Sequence, residues 1–282
     1  MGARPAAQPR VPRAADEDYD AKALAQLRFP PATTAEITEV QNNLDKLFPP
    51  RSFKGATGMT LPYRLHTPDR ASYKNKAPLL VFMHGGGERG ADNRAQVGPT
   101  VFIAGPGVLA IGARAKAMPA FILAPQCPWA PEHWDGTDVT PTDLRFSGST
   151  KALTTTMELL DVVIKENPTI DTRRIYVMGM SMGGFASWEM ISRWSEKFAA
   201  AIPMCSGGDR SMAAKIVYMP IWAFHSTDDG NVPIEWDRRM IEKLKSLGGS
   251  PKFSTYTGPG HIVWGPAYRE PALFPWLFSQ SQ

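Results

Sequence analysis

The sequence predicts an α/β fold with a mostly parallel central sheet, on three observations. Six apolar, strand-like runs (APLLVFMH, PAFILAPQ, RIYVMGM, AAAIPMCS, MPIWAFHS and KFSTYT) alternate with helical patterns from residue 77 onward, the order expected of βαβ units. Two of the intervening segments carry apolar residues at clear helical spacing. Two stretches rich in Gly, Pro, Asp and Trp, 88–118 and 128–148, follow strand-like runs, where loops leave the C-terminal ends of strands and ligands bind. At 282 residues and 43% hydrophobic, the chain is long enough for one large core, and a single α/β domain is the default.

Residues 1–18 have the composition of a disordered tail. Helical patterns near 20–28 and in TAEITEVQNNLDKLF (34–48) make 19–50 a helical extension, closed by Pro49-Pro50. The α/β domain then spans 51–282. It begins with FKGATGMTLPYRLHTP (53–68), read as two edge strands about a Gly turn, because Pro62 lacks the N–H that an interior strand uses. Leu153, Met157, Leu160 and Ile164 mark one helix, with Ser149 as N-cap and Pro168 past its end. Trp236, Met240, Leu244 and Leu247 mark another, with Pro233 near its start and Gly248-Gly249 at its stop. No internal repeat is visible.

Several function classes fall away. The longest apolar runs, such as PLLVFM (78–83), are too short to cross a bilayer. The net charge is +4, but Arg4, Arg10 and Arg13 precede the first acid, so 14–282 carries 28 minus 27, or +1. That near-neutral balance gives no clustered basic face for nucleic acid. The two cysteines, Cys127 and Cys205, make neither a disulfide framework nor a Cys-x-x-Cys metal motif. The start MGARPAAQPRVPRA fits either a linker left behind a trimmed export signal or a native tail. The compartment and the oligomeric state stay open.

RIYVMGMSMGGFASWEM (174–190) runs from a strand-like stretch through Gly179-Met-Ser181-Met-Gly183 into a helical pattern. This is the strand–turn–helix setting of a nucleophile elbow, where residues two before and two after the serine crowd together and must be small. An attacking serine needs a base, and the base needs an orienting acid, in the chain order Ser, Asp or Glu, His. His261, in the loop TGPGHIVW after the last strand-like run, fits the base; His225 comes too early and reads as a packed or hydrogen-bonded residue. Asp228 and Asp229 in FHSTDDGNVP both fit the acid. Donors for a developing oxyanion come from the N–H after the nucleophile, that of Met182, and from the Gly-rich loop VFMHGGGERG (81–90).

Together HGGGERG, APQCP, RIYVMGMSMGGFASWEM, WAFHSTDDGNVP and GPGHIVW…LFPWLFSQ resemble α/β-hydrolase serine esterases of the predicted-peptidase, carboxylesterase and polyhydroxybutyrate-depolymerase-like group, over about residues 50–280. The resemblance implies an α/β-hydrolase fold and ester hydrolysis through an acyl-enzyme, with no cofactor and no metal, on a small-molecule or polymeric ester. A serine peptidase of the same fold and a non-catalytic binding module are the rivals. It also implies that Asp229, four residues before Pro233, is the acid, although Ser226 and Gly230 replace the usual glycine and proline and keep Asp228 in play. Gly86 is implied as the second oxyanion donor with Gly87 as alternate, Glu88 and Arg89 as a bracing ion pair, and Trp134 and Trp264 as an aromatic substrate wall. Trp188 is expected in the core. The usual strand order puts three strand spacings, about 14 Å, between the strands ending near Cys127 and Cys205, so both thiols are expected free and buried. Activity is expected to rise with pH as His261 loses its proton.

Overall fold

All six apolar runs fold as strands of one eight-stranded sheet. The computed structural model describes residues 19–140 and 144–282; the stretch read as a tail, 1–18, lies outside them. Three short helices come first: α1 (Ala21–Gln26), α2 (Thr34–Asn42) and α3 (Leu44–Leu47). Asp20 caps α1 by accepting the N–H groups of Lys22 and Ala23, and Thr33 and Glu36 form a reciprocal capping box on α2. Then follow β1 (Pro50–Lys54), β2 (Thr60–His66), β3 (Ala77–Met83), α4 (Gly112–Ala117), β4 (Phe121–Pro125), β5 (Thr137–Val139) and β6 (Leu144–Phe146). The rest is α5 (Lys151–Glu166), β7 (Ile170–Met180), α6 (Met182–Arg193), β8 (Ala200–Met204), β9 (Trp222–Ser226), α7 (Glu235–Ser246), β10 (Lys252–Tyr256), α8 (Trp264–Ala267) and α9 (Leu273–Phe278).

The sheet order is β1-β2-β4-β3-β7-β8-β9-β10, with β1/β2 and β2/β4 antiparallel and every pair from β4 to β10 parallel. All seven residues of β3 are buried, as a central parallel strand covered on both faces requires. Its alternation feeds two cores. Leu79, Val81 and Met83 join Leu153 and Leu160 of α5, Trp188 of α6 and Met240 of α7 on one face. Leu80 and Phe82 join Val40, Phe48, Phe102, Val108, Leu277 and Phe278 on the other.

Four details depart from the sequence reading. Of β1 and β2 only β1 lies at an edge; β2 is covered by β4, and Pro62 still contributes its carbonyl to the N–H of Gln126. The N-cap of α5 is Thr150, whose hydroxyl accepts the Leu153 N–H, while Ser149 hydrogen-bonds Thr154 one step outside. Leu247 is the C-cap of α7 and is exposed, so the apolar stripe ends at Leu244. The stretch 88–118 is no solvent loop: Val97, Phe102, Ile103, Val108 and Leu109 sit on short 3-10 and π turns and fill the second core.

Cys127 follows β4 and Cys205 follows β8, with β3 and β7 between those strands; both thiols are free and buried. Burial pushes the Cys127 thiol up to about 12 and the Cys205 thiol well above its ordinary value, so both stay protonated.

Candidate active site

The functional side chains meet at the C-terminal edge of the sheet, on the segments that follow β7, β9 and β10. Ser181 links β7 to α6 with φ 53° and ψ −122°, a conformation that costs roughly 1–3 kcal/mol and persists only where the surroundings enforce it. Enforcement here is by close backbone approach. A Cβ on Gly179 would fall under 3.0 Å from the Gly183 carbonyl, one on Gly183 under 3.0 Å from that of Met83, and one on Gly184 under 3.0 Å from that of Met204. The Ser181 N–H is fixed to the Met204 carbonyl at 2.9 Å and approaches the Cys205 sulfur at 3.3 Å. The turn is therefore wedged between β3 and β8. Gly183→Ala is expected to lower unfolding stability by about 3 kcal/mol or more in urea melts, since the obstructing atom is backbone. A wild-type midpoint would show that the turn relaxes.

His261, in the loop after β10, places Nε2 2.9 Å from Ser181 Oγ and Nδ1 2.8 Å from Asp229 Oδ2. Asp229 Oδ1 accepts the N–H groups of Asn231 and Val232, both at 2.9 Å. The Asp229 side chain is fully enclosed, and burial by itself raises its carboxyl. The Val232 N–H, the His261 imidazole and the Asn231 N–H outweigh that and hold it below the ordinary carboxylate range. Of the two candidate acids, Asp228 is exposed, and its carboxylate is taken by the Ser226 hydroxyl and the Gly258 N–H.

Facing Ser181 is the turn Gly86–Glu88 after β3. Among the described residues, no hydrogen bond engages the N–H groups of Gly86, Gly87 or Met182, and a Cβ on Gly87 would meet nothing within 4 Å. Open space at Gly87 and free donors at a turn beside the serine suit an oxyanion. The turn is held from behind by groups that the sequence reading gave no role. His84, fully buried, donates Nδ1–H to the Gly85 carbonyl at 2.6 Å and accepts the Cys127 N–H on Nε2 at 2.9 Å. Burial pushes its imidazole down to about 4, so it is neutral and this tautomer is fixed. Buried Gln126 staples the next loop by accepting the Asn93 N–H and donating to the Glu88 carbonyl and Asp92. Both lie inside the blocks HGGGERG and APQCP, and the signal was their polarity at the end of an otherwise apolar strand.

Two expectations about this loop need correction. Glu88 and Arg89 do not pair with each other: Arg89 donates to the carbonyls of Gly86 and Glu132, and the Glu88 carboxylate turns back on the Gly85 N–H. Trp134 does not face a cleft. It is fully enclosed and packs edge-on to His84 at 5.2 Å, beneath the donor loop rather than over it. Trp264, half-buried, stands perpendicular to His261 with centroids 6.1 Å apart, and Ile262 beside it is 58% exposed. Trp188 is fully buried, as expected of a core residue.

Cys205, Asp229 and His261 also place one ligand atom each within 4.8 Å of one another. Hydrogen bonds already engage these groups, and the thiol is protonated, so the donor set fits proton transfer better than a cation.

Comparison with known proteins gives a consistent picture. Residues 70–269 match the family model described as phospholipase/carboxylesterase. A solved thermostable esterase superposes with a TM-score of 0.77 at 36% identity, covering 84% of this chain and 64% of its own. The feruloyl esterase module from Clostridium thermocellum, solved with sinapinate, shares the fold with a TM-score of 0.61 at 14% identity, over 89% of this chain and 94% of its own. A bifunctional acetylxylan esterase/xylanase from Neocallimastix patriciarum is 35% identical over 95 residues, 33% of this chain and 13% of that protein. The chain thus spans a small part of that curated relative. The architecture is the α/β-hydrolase fold.

Proposed function

Since the chain belongs to the phospholipase/carboxylesterase family, we propose that it is a serine carboxylic-ester hydrolase working through Ser181, His261 and Asp229 and an acyl-enzyme. The observation that carries this is the continuous hydrogen-bond line from Ser181 Oγ through both nitrogens of His261 to Asp229, starting at a strained turn. In the reaction, Ser181 Oγ attacks the ester carbonyl while His261 Nε2 takes its proton. The N–H groups of Met182 and Gly86, with Gly87 as alternate, receive the oxyanion. Collapse expels the alcohol, protonated by His261, and water attacks the acyl-enzyme by the same route in reverse. Asp229, bonded to Nδ1, keeps the Nε2 lone pair aimed at Ser181 and balances the charge that the imidazole acquires.

Exposed Ile262 and the edge of Trp264 give the reacting centre an apolar border, which suits an acyl or aryl group better than a charged one. Acetyl and feruloyl esters, named for the relatives, are the first substrates to compare, with butyryl, long-chain and polyester substrates beside them. The test pairs short p-nitrophenyl esters with matched anilides and adds a fluorophosphonate probe. Ester turnover and stoichiometric labelling of Ser181 are expected. Preference for the anilides would point to a peptidase, and absence of labelling would sink the triad.

A further inference from the structure

Behind the triad lies a second histidine–carboxylate pair that the reaction as written does not use. His225, at the end of β9, directs Nδ1 to Asp237 Oδ2 at 2.7 Å and Nε2 to the Val232 carbonyl at 3.0 Å and to Asp229 Oδ2 at 3.4 Å. All three side chains are fully enclosed. We propose that His225, held as an imidazolium between Asp237 and Asp229, is a positioning residue that keeps Asp229 aimed at His261 and moderates the negative charge that His261 meets. This rests on the triad reading above.

A neutral imidazole has one N–H and one lone pair. Here both nitrogens face only oxygens that accept, so either neutral tautomer would press a lone pair against a carboxylate or a carbonyl. Only the doubly protonated ring satisfies both sides. Two enclosed carboxylates need a cation, and among the described residues no Lys or Arg pairs with Asp229 or Asp237. The titratable groups facing His225 are Asp237 from α7 and Asp229 from the loop after β9; His261 lies beyond Asp229, and the Cys205 thiol at the end of β8 lies beside Asp229. Burial opposes a charge on His225. The hydrogen bond and charge of Asp237, the Val232 carbonyl and the charge of Asp229 outweigh it and raise the imidazole's hold on its proton.

Val232 is gripped from both sides: its N–H donates to Asp229 Oδ1, and its carbonyl accepts from His225. Asp237 in turn accepts Trp188 Nε1–H at 2.7 Å and the Ser206 N–H at 3.2 Å. One carboxylate on α7 thereby ties α6, the end of β8 and the end of β9 to the loop that carries Asp229. Because His225 and His261 share Asp229 Oδ2, a positive His225 weakens the pull of that carboxylate on a further proton at His261.

The experiment compares wild type with His225→Gln and Asp237→Asn. His225→Gln is expected to move the acid limb of kcat/KM upward by about one pH unit, and both variants to lower kcat by about 100-fold, with KM little changed. A purely structural role would lower the melting temperature and leave the acid limb in place, and that result overturns the proposal. Should the variants fail to fold, heteronuclear NMR of histidine-labelled wild type decides: at about pH 8, where an ordinary histidine is neutral, both ring nitrogens of His225 are expected to carry protons. A neutral ring there overturns the proposal. Fluorophosphonate labelling of Ser181 separates the two failures, since its absence defeats the triad, whereas normal labelling with an unmoved acid limb defeats only the role of His225.

Discussion

Replacing Ser181 with alanine is expected to lower kcat on a p-nitrophenyl ester by about a million-fold while leaving the unfolding midpoint close to wild type or above it. The two halves of that result have one cause. Ser181 sits at φ 53° because its backbone is wedged between β3 and β8, and alanine, with a Cβ of the same kind, meets no new obstruction there. What disappears is the Oγ that accompanies His261 Nε2 at 2.9 Å. Without it, attack falls to water, and the Met182 and Gly86 donors leave only residual acceleration. Turnover and circular dichroism on the same preparation measure both halves. Ester hydrolysis at the wild-type rate by the alanine variant would leave the strained turn as scaffold and the chain as a binding module.

The second large effect is expected at Asp229. Asp229→Asn should cost about ten-thousand-fold in kcat, and Asp228→Asn should stay within about threefold. Asp229 uses Oδ1 for the N–H groups of Asn231 and Val232 and Oδ2 for His261 Nδ1. An asparagine keeps its oxygen on the two backbone donors and so turns its NH2 toward Nδ1. That nitrogen must then accept, the ring proton moves to Nε2, and the imidazole can no longer take the proton of Ser181. The Asp228 carboxylate meets the Ser226 hydroxyl and backbone N–H groups, that of Gly258 among them, at the surface. Steady-state kinetics on the two variants distinguish the acids, and a larger loss at Asp228 would reverse the assignment.

The parts legible in the sequence were those encoded by neighbours along the chain. β3, β4 and β7 to β10 show as apolar runs, and α5 and α7 show as periodic stripes. Ser181 and His261 carry their glycines within a few residues, so their loops could be placed at the sheet edge before the fold was known. The illegible parts depend on what packs against them. β5 and β6 are three residues each, and contacts from elsewhere hold them: Gly136 bonds Glu189, and the Phe146 N–H bonds Asp209. The turns over 95–110 mix 3-10 and π spacing, which erases any single period. Trp134 sits among Gly, Pro and Asp, a composition that signals solvent, yet its ring is fully buried against His84 and its carbonyl accepts the Thr150 hydroxyl. Asp228 and Asp229 are equivalent in composition, and only the turn geometry separates them. The link between His225 and Asp237 depends on α7 docking beside β9, which no local pattern announces.

The glycine wedge has a further consequence for how such a chain diversifies. Because Ser181 takes its geometry from backbone carbonyls of neighbouring strands, its hydroxyl is set by the buried central sheet rather than by side chains. Ile262, next to His261, is exposed and takes no part in that backbone contact. On the proposed esterase reading, substitutions at the entrance can change which ester is admitted while the turn that holds Ser181 stays intact.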